Sequence, residues 1–115
     1  MGMRSVDILR VSIDDAGRLT VQPDLALSDD FEFIWRTASG IRWDSVGREL
    51  FAPASTDLSA LGWFQGIVSA VQGEYGTSLV LTGDTQWVNV PIDVKQQIET
   101  WVSVKATWQL HQARE

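Results

Sequence analysis

Apolar and polar positions alternate most regularly between Phe31 and Ala54, in the run FEFIWRTASGIRWDSVGRELFAPA. Phe31, Phe33 and Trp35 alternate with Glu32, Ile34 and Arg36, which predicts a strand carrying three aromatic rings on its core face and a mixed face opposite. Ser39 and Gly40 follow as a turn dipeptide able to supply positive φ. Ile41 and Trp43 alternate with Arg42 and Asp44, the pattern breaks at Ser45 to Gly47, and it resumes from Glu49 to Ala52. Two or three short antiparallel strands are expected here, ending at Pro53, which cannot donate to a ladder.

Before this stretch, Val6 to Ile13 has strand composition, but its apolar positions change parity between Ile8 and Leu9. Either a bulge lies near Ile8 or both faces are covered. Asp14 to Gly17 reads as a loop with Gly in the left-handed position, and Leu19 and Val21 alternate with Thr20 and Gln22 up to Pro23, completing a hairpin. Pro23 to Asp30 is a polar connection left unassigned. After the central stretch, Ser55, Thr56 and Asp57 offer a helix N-cap with an acid in the first turn. Ala60, Leu61, Phe64, Ile67, Val68 and Val71 then recur at helical spacing. Gly62 and Gly66 lie within this helix, where close approach to another element would account for them, and Gly73 or Gly76 ends it.

Thr77 to Gly83 and Thr85 to Val90 are expected to pair as a hairpin about Gly83 and Asp84. Pro91 suits the first position of a second helix. Val94, Ile98, Trp101 and Val102 line one face of it, and beyond Ser103 the phase blurs. The order ββ, βββ, α, ββ, α predicts a single α+β domain over residues 1–115, with an antiparallel sheet of about five to seven strands and two helices packed on one face.

Composition narrows the function. With 44% hydrophobic and 21% charged residues, disorder is excluded. Nine basic against fifteen acidic side chains give a net charge of -6. Phosphate binding needs clustered cations, and Lys95 and Lys105 are far apart, so nucleic acid is not expected as a partner, nor is an anionic membrane surface. A basic protein partner suits an acidic chain better. The absence of cysteine excludes disulfides, thiol nucleophiles and Cys-based zinc sites. The opening residues MGMRSVDILRVSIDD are interrupted by Asp7 and Arg10, so they read as neither signal peptide nor membrane span, and a cytoplasmic location is expected.

Candidate chemistry is sparse. His111 is the single histidine and reads as an exposed tail residue; no metal site is expected. The pairs Asp14 and Asp15, and Asp29 and Asp30, read as turn chemistry, because neighbouring positions point apart. No G-x-S-x-G elbow, phosphate loop or G-x-G-x-x-G occurs. No catalytic residue and no cofactor is therefore expected.

The six tryptophans are the distinctive feature. Trp35, Trp63 and Trp101 read as core residues. Trp43 is flanked by Arg42 and Asp44 on a short strand between turns, and both burial and exposure fit its pattern. Since Trp and Arg dominate binding hot spots, Arg36, Arg42, Trp43 and Asp44 form the expected partner surface. An alternative is a small-molecule pocket or small active site between sheet and helix, lined by Trp35, Trp63 and Trp87. A third is a homo-oligomer in which Trp108 and Leu110 complete a neighbouring copy.

The run FEFIWRTASGIRWD, followed by LGWFQGIV and NVPIDVKQQIETW, resembles small uncharacterised proteins of mobile, integron-type bacterial gene cassettes and, more loosely, immunity proteins of toxin systems. The resemblance extends from Val6 to Val102 and carries no catalytic residues. It implies a compact, non-enzymatic α+β protein, often self-associating, that binds a partner. The Trp-containing end after Ser103 departs from the short helical ending of such proteins.

Overall fold

The computed structural model describes residues 4–15, 17–25, 30–37, 40–52 and 59–113, with side chains described from 5 to 102 within those ranges. Six strands form one mixed, mostly antiparallel sheet: β1 (Arg4–Ile13), β2 (Leu19–Pro23), β3 (Arg42–Asp44), β4 (Glu49–Phe51), β5 (Thr77–Val80) and β6 (Gln86–Val88). A 3-10 helix (Glu32–Thr37) precedes β3, and two helices follow β4 and β6, α1 (Ala60–Tyr75) and α2 (Ile92–Ala113). The α+β class, the strand number and the two helices are as the sequence pattern predicts.

β1 is the spine of the sheet. On one flank it pairs antiparallel with β2, which pairs with β4, which pairs with the edge strand β3. The register slips between Ile8 and Arg10, so Leu9 is an extra residue without a partner on β2. This is the bulge that the parity change implied. It turns Leu9 outward, 43% exposed, and returns Val11 to the buried face that Val6 and Ile8 occupy. At the hairpin, Gly17 takes φ +81° and donates its N–H to the Asp14 carbonyl.

The other flank corrects one expectation. Thr77–Val80 and Gln86–Val88 do not pair as a hairpin; both run parallel to β1, β5 beside Arg4 to Asp7 and β6 beside Arg10 to Ser12. The turn from Thr82 to Thr85 displaces the chain without reversing it, so the two strands are successive segments along one flank.

The central stretch brings a second correction. Glu32–Thr37 is a 3-10 helix where a strand was expected. Its period is three, so Phe31 and Ile34 both turn inward and are fully buried, whereas Phe33 and Trp35 face solvent.

α1 begins one cap later than the sequence suggested. Ser59 accepts the Gly62 N–H at 3.1 Å and is the N-cap, while Ser55, Thr56 and Asp57 lie outside the described residues. Gly76 ends the helix in the left-handed conformation, φ 62°, donating to the Gln72 carbonyl. Close approach does not explain Gly66, because a Cβ there would meet nothing within 4 Å.

Phe64, Ile67, Val68, Ala70 and Val71 of α1 lie in one core with Val11, Val21 and Leu50 of the sheet and with Ile98 of α2. Trp101 meets Phe64 edge-on at 6.0 Å, and Lys95 lies over the Trp87 ring at 5.7 Å, tying α2 to both α1 and β6. Val94, Ile98, Trp101 and Val102 form the inward face of α2, as predicted.

Candidate partner-binding surface

The 3-10 helix is built from its cap outward. Asp30 Oδ1 accepts the Glu32 N–H at 3.1 Å, an Asx-type start that aims the chain into the turn. Ile34 N–H donates to the Phe31 carbonyl at 3.0 Å, and the Thr37 hydroxyl donates to the Ile34 carbonyl at 2.9 Å, so both ends are closed. With three residues per turn, side chains at i and i+3 eclipse. Phe31 and Ile34 form the buried row; Phe33 and Arg36 form an exposed one.

The exposed row is held in place. Arg36 stacks over the Phe33 ring at 4.5 Å and reaches the Trp35 ring at 5.8 Å, and its Nη1 lies 3.9 Å from Glu74 of α1. Phe33 is 45% exposed and Trp35 54%. Beneath them, Phe31 is gripped by Tyr75 at 4.9 Å and by Trp43 edge-on at 5.7 Å. The Tyr75 hydroxyl accepts the Phe33 N–H at 2.9 Å. Burial raises the Tyr75 phenol above its ordinary value; the Phe33 bond and Arg36 oppose the rise, and Asp30 and Glu74 add to it. Two large apolar side chains thus stand in water on a backbone pinned to α1.

Of the residues expected to form a partner surface, Arg36 lies on this helix and Arg42, Trp43 and Asp44 make up the edge strand β3 beside it. Trp43 is half-buried against Phe31, with Arg48 over its ring at 5.9 Å. Arg42 is exposed. Asp44 Oδ1 accepts from the N–H groups of Val46 at 3.0 Å and Gly47 at 3.2 Å, which is turn chemistry.

The residues expected to line an aromatic pocket are dispersed. Trp35 is on the surface of the 3-10 helix, while Trp63 and Trp87 are half-buried against the core. One depression of about 330 Å³ lies at the β3–β4 end of the sheet, against Asp14, Arg18, Thr20, Trp43, Glu49 and Phe51. A more open one of about 500 Å³ lies between α1 and α2, with Leu61, Gln96, Gln97 and Trp101 on its walls. Trp35, Trp63 and Trp87 line neither.

The first depression holds three carboxylates, each engaged locally. Asp14 accepts from Arg18 Nε at 2.7 Å and from Arg18 N–H at 2.8 Å, Glu49 lies 3.5 Å from Arg10, and Asp44 binds the turn amides. Arg18 also lies over Phe51 at 5.4 Å. Among the described residues, no three His, Cys, Asp or Glu side chains converge to hold a metal ion, and no helix is long and apolar enough to cross a membrane. The side chains of Trp108, Leu110 and His111 lie outside the described residues, although the backbone of α2 runs to Ala113.

Phe33 is the surface residue that periodicity misassigned, to the core face of a strand. The signal that finds it is the spacing of Phe31, Ile34 and Thr37 behind an Asp at position 30, a period of three rather than two.

A family model described as Integron Cassette Protein Hfx_Cass5 matches residues 6–85. A solved structure described as the integron cassette protein Hfx_Cass5, from the mobile metagenome of the North West Arm sewage outfall, is 31% identical. That alignment covers 89% of this chain and 99% of the other, with a TM-score of 0.43. No curated protein matches.

Proposed function

The chain belongs to the Hfx_Cass5 family of integron cassette proteins, and on that premise we propose that it is a non-catalytic binding protein of immunity or regulatory type. Its partner is another protein chain, and Phe33, Trp35 and Arg36 are the anchors. The observation that carries this reading is the pair of aromatic side chains held 45% and 54% exposed on one short helix.

Trp, Tyr and Arg supply a disproportionate share of interface energy, the aromatics because they bury large areas at low cost in rotamer freedom and Arg through its planar set of donors. Here the Phe33 amide is tied to Tyr75 and Arg36 sits between two rings and Glu74. Little ordering remains to be done on binding, which favours affinity. The described carboxylates of the β3–β4 depression are held by guanidinium groups or turn amides, an arrangement compatible with a binding role.

The test uses the wild-type chain and Trp35→Ser as baits in a bacterial lysate, after circular dichroism shows that the variant keeps its fold. Expected is a protein retained by the wild type and lost from the variant. Equal retention by both would overturn the reading, as would a turnover on a substrate panel that disappears in Glu49→Gln.

A further inference from the structure

We infer that the segment docking on the 3-10 helix is cationic and arginine-bearing, with its guanidinium groups stacking on Trp35 and Phe33 and pairing with Asp30, Glu32 and Glu74. The inference rests on the protein-binding reading above and specifies the chemistry of the partner.

Three features of this surface converge. The first is that its rings already hold a guanidinium: Arg36 lies 4.5 Å from the Phe33 centroid and 5.8 Å from that of Trp35. An aromatic ring presents a negative face on each side, and flat guanidinium groups stack on it better than ammonium groups do. The exposed parts of Phe33 and Trp35 offer the same electrostatics to an incoming arginine.

The second feature is the local charge. Asp30 and Glu32 begin the helix and are exposed, and Glu74 of α1 lies 3.9 Å from Arg36. Asp30, Glu32 and Glu74 against Arg36 leave the helix and its α1 contact at a net charge of -2, with exposed Arg42 on the neighbouring β3, within a chain of net charge -6.

The third is the penalty each other partner would meet. A purely apolar segment covering Trp35 and Phe33 would crowd the exposed carboxylates of Asp30 and Glu32 at the start of the helix without pairing them, which disfavours it. An acidic segment would be repelled. A segment with Arg side chains satisfies the rings and the carboxylates together, and the long-range field steers its approach.

The experiment is a titration of the isotope-labelled full chain with capped hexa-arginine, hexa-serine and hexa-glutamate peptides, read by NMR. The Trp35 indole resonance is identified as the one missing from Trp35→Phe. Hexa-arginine is expected to shift that resonance and the amides of residues 32–36, and Trp35→Ser should abolish the localised shifts. The double change Glu32→Gln with Glu74→Gln should weaken binding roughly three- to tenfold, the effect of two partly exposed ion pairs.

Shifts scattered over the acidic surface and unaltered by Trp35→Ser would overturn the inference, and so would no shift with millimolar hexa-arginine. If hexa-serine shifted the same resonances as strongly, the cationic preference would fall while docking on this surface stood. Docking itself is judged by the bait comparison, so the two failures are distinguishable.

Discussion

The hydroxyl of Thr85 donates a 2.7 Å hydrogen bond to the carbonyl of Ile8, a residue 77 positions earlier in the chain. β5 pairs with β1 as far as Asp7 and β6 only from Arg10, so Ile8 faces the gap between them. The buried Thr85 side chain fills that gap. It also accepts the Thr82 N–H at 3.0 Å, while the Thr82 hydroxyl accepts the Asp84 N–H at 3.1 Å. One side chain thus joins the interruption of the outer strand to the bulge in the central one.

Thr85→Val keeps the shape and removes the hydroxyl. The Ile8 carbonyl and the Thr82 amide then lose their partner in a buried setting, and a loss of about 1–3 kcal/mol is expected. Thr85→Ser retains the hydroxyl and should lose less. Urea unfolding of both variants checks this, with equal m-values required for the comparison to stand.

Gly66→Ala is expected to stabilise the chain by up to about 1 kcal/mol, the helix-propensity difference between the two residues. The position is inside α1, its φ is not in the left-handed region, and a Cβ there would meet nothing within 4 Å. Gly76→Ala should do the opposite, because Gly76 has φ 62° at the C-cap. Thermal unfolding of the two variants beside the parent reads both signs at once.

Tyr75 makes stability depend on alkaline pH. Its folded-state value lies above the ordinary 10.0, chiefly through burial. Between 10.0 and the folded value, the folded chain therefore holds a proton that the unfolded chain has released. The stabilisation is complete below pH 10 and declines as pH rises through that window. Urea midpoints measured from about pH 9 to 11 should fall more steeply for the wild type than for Tyr75→Phe, which lacks the titrating group.

What could be read from the chain before its structure depended on how local the deciding interactions were. The bulge at Leu9 and the Gly76 cap were each one of two local readings; the hairpin at Gly17 and the inward face of α2 rest on neighbours a few residues apart, and periodicity and turn chemistry found them. The direction of β6 does not. Gly83 and Asp84 look like a reversing turn, and only pairing with Arg10 to Ser12 makes the chain continue parallel instead. The run from Phe31 to Arg36 fits a period of two as well as three over six residues. The 3-10 form is closed locally by Asp30 and Thr37 and held from a distance by Tyr75, 42 residues later, which takes the Phe33 amide. Trp35 was accordingly expected inside and Phe33 on a core face, with Arg36 on the opposite, mixed face, whereas Arg36 stacks on the Phe33 ring.

That ambiguity gives a direct way to separate the two rows of the 3-10 helix. Phe31 and Ile34 are 2% exposed or less, Phe31 between the rings of Tyr75 and Trp43. Phe31→Ala and Ile34→Ala leave cavities that the packed neighbours only partly close, so losses of about 3–5 and 2–5 kcal/mol are expected. Phe33→Ser and Trp35→Ser remove side chains that are about half in water. They give up the stacking with Arg36 and modest contact area, and each should cost no more than about 1 kcal/mol. Chemical denaturation of the four variants distinguishes the cases. If Trp35→Ser cost as much as Ile34→Ala, Trp35 would be a structural residue, and its exposure would no longer argue for a partner. If the outer pair proves nearly neutral to stability, their aromatic character is not required by folding, as the proposed docking role needs.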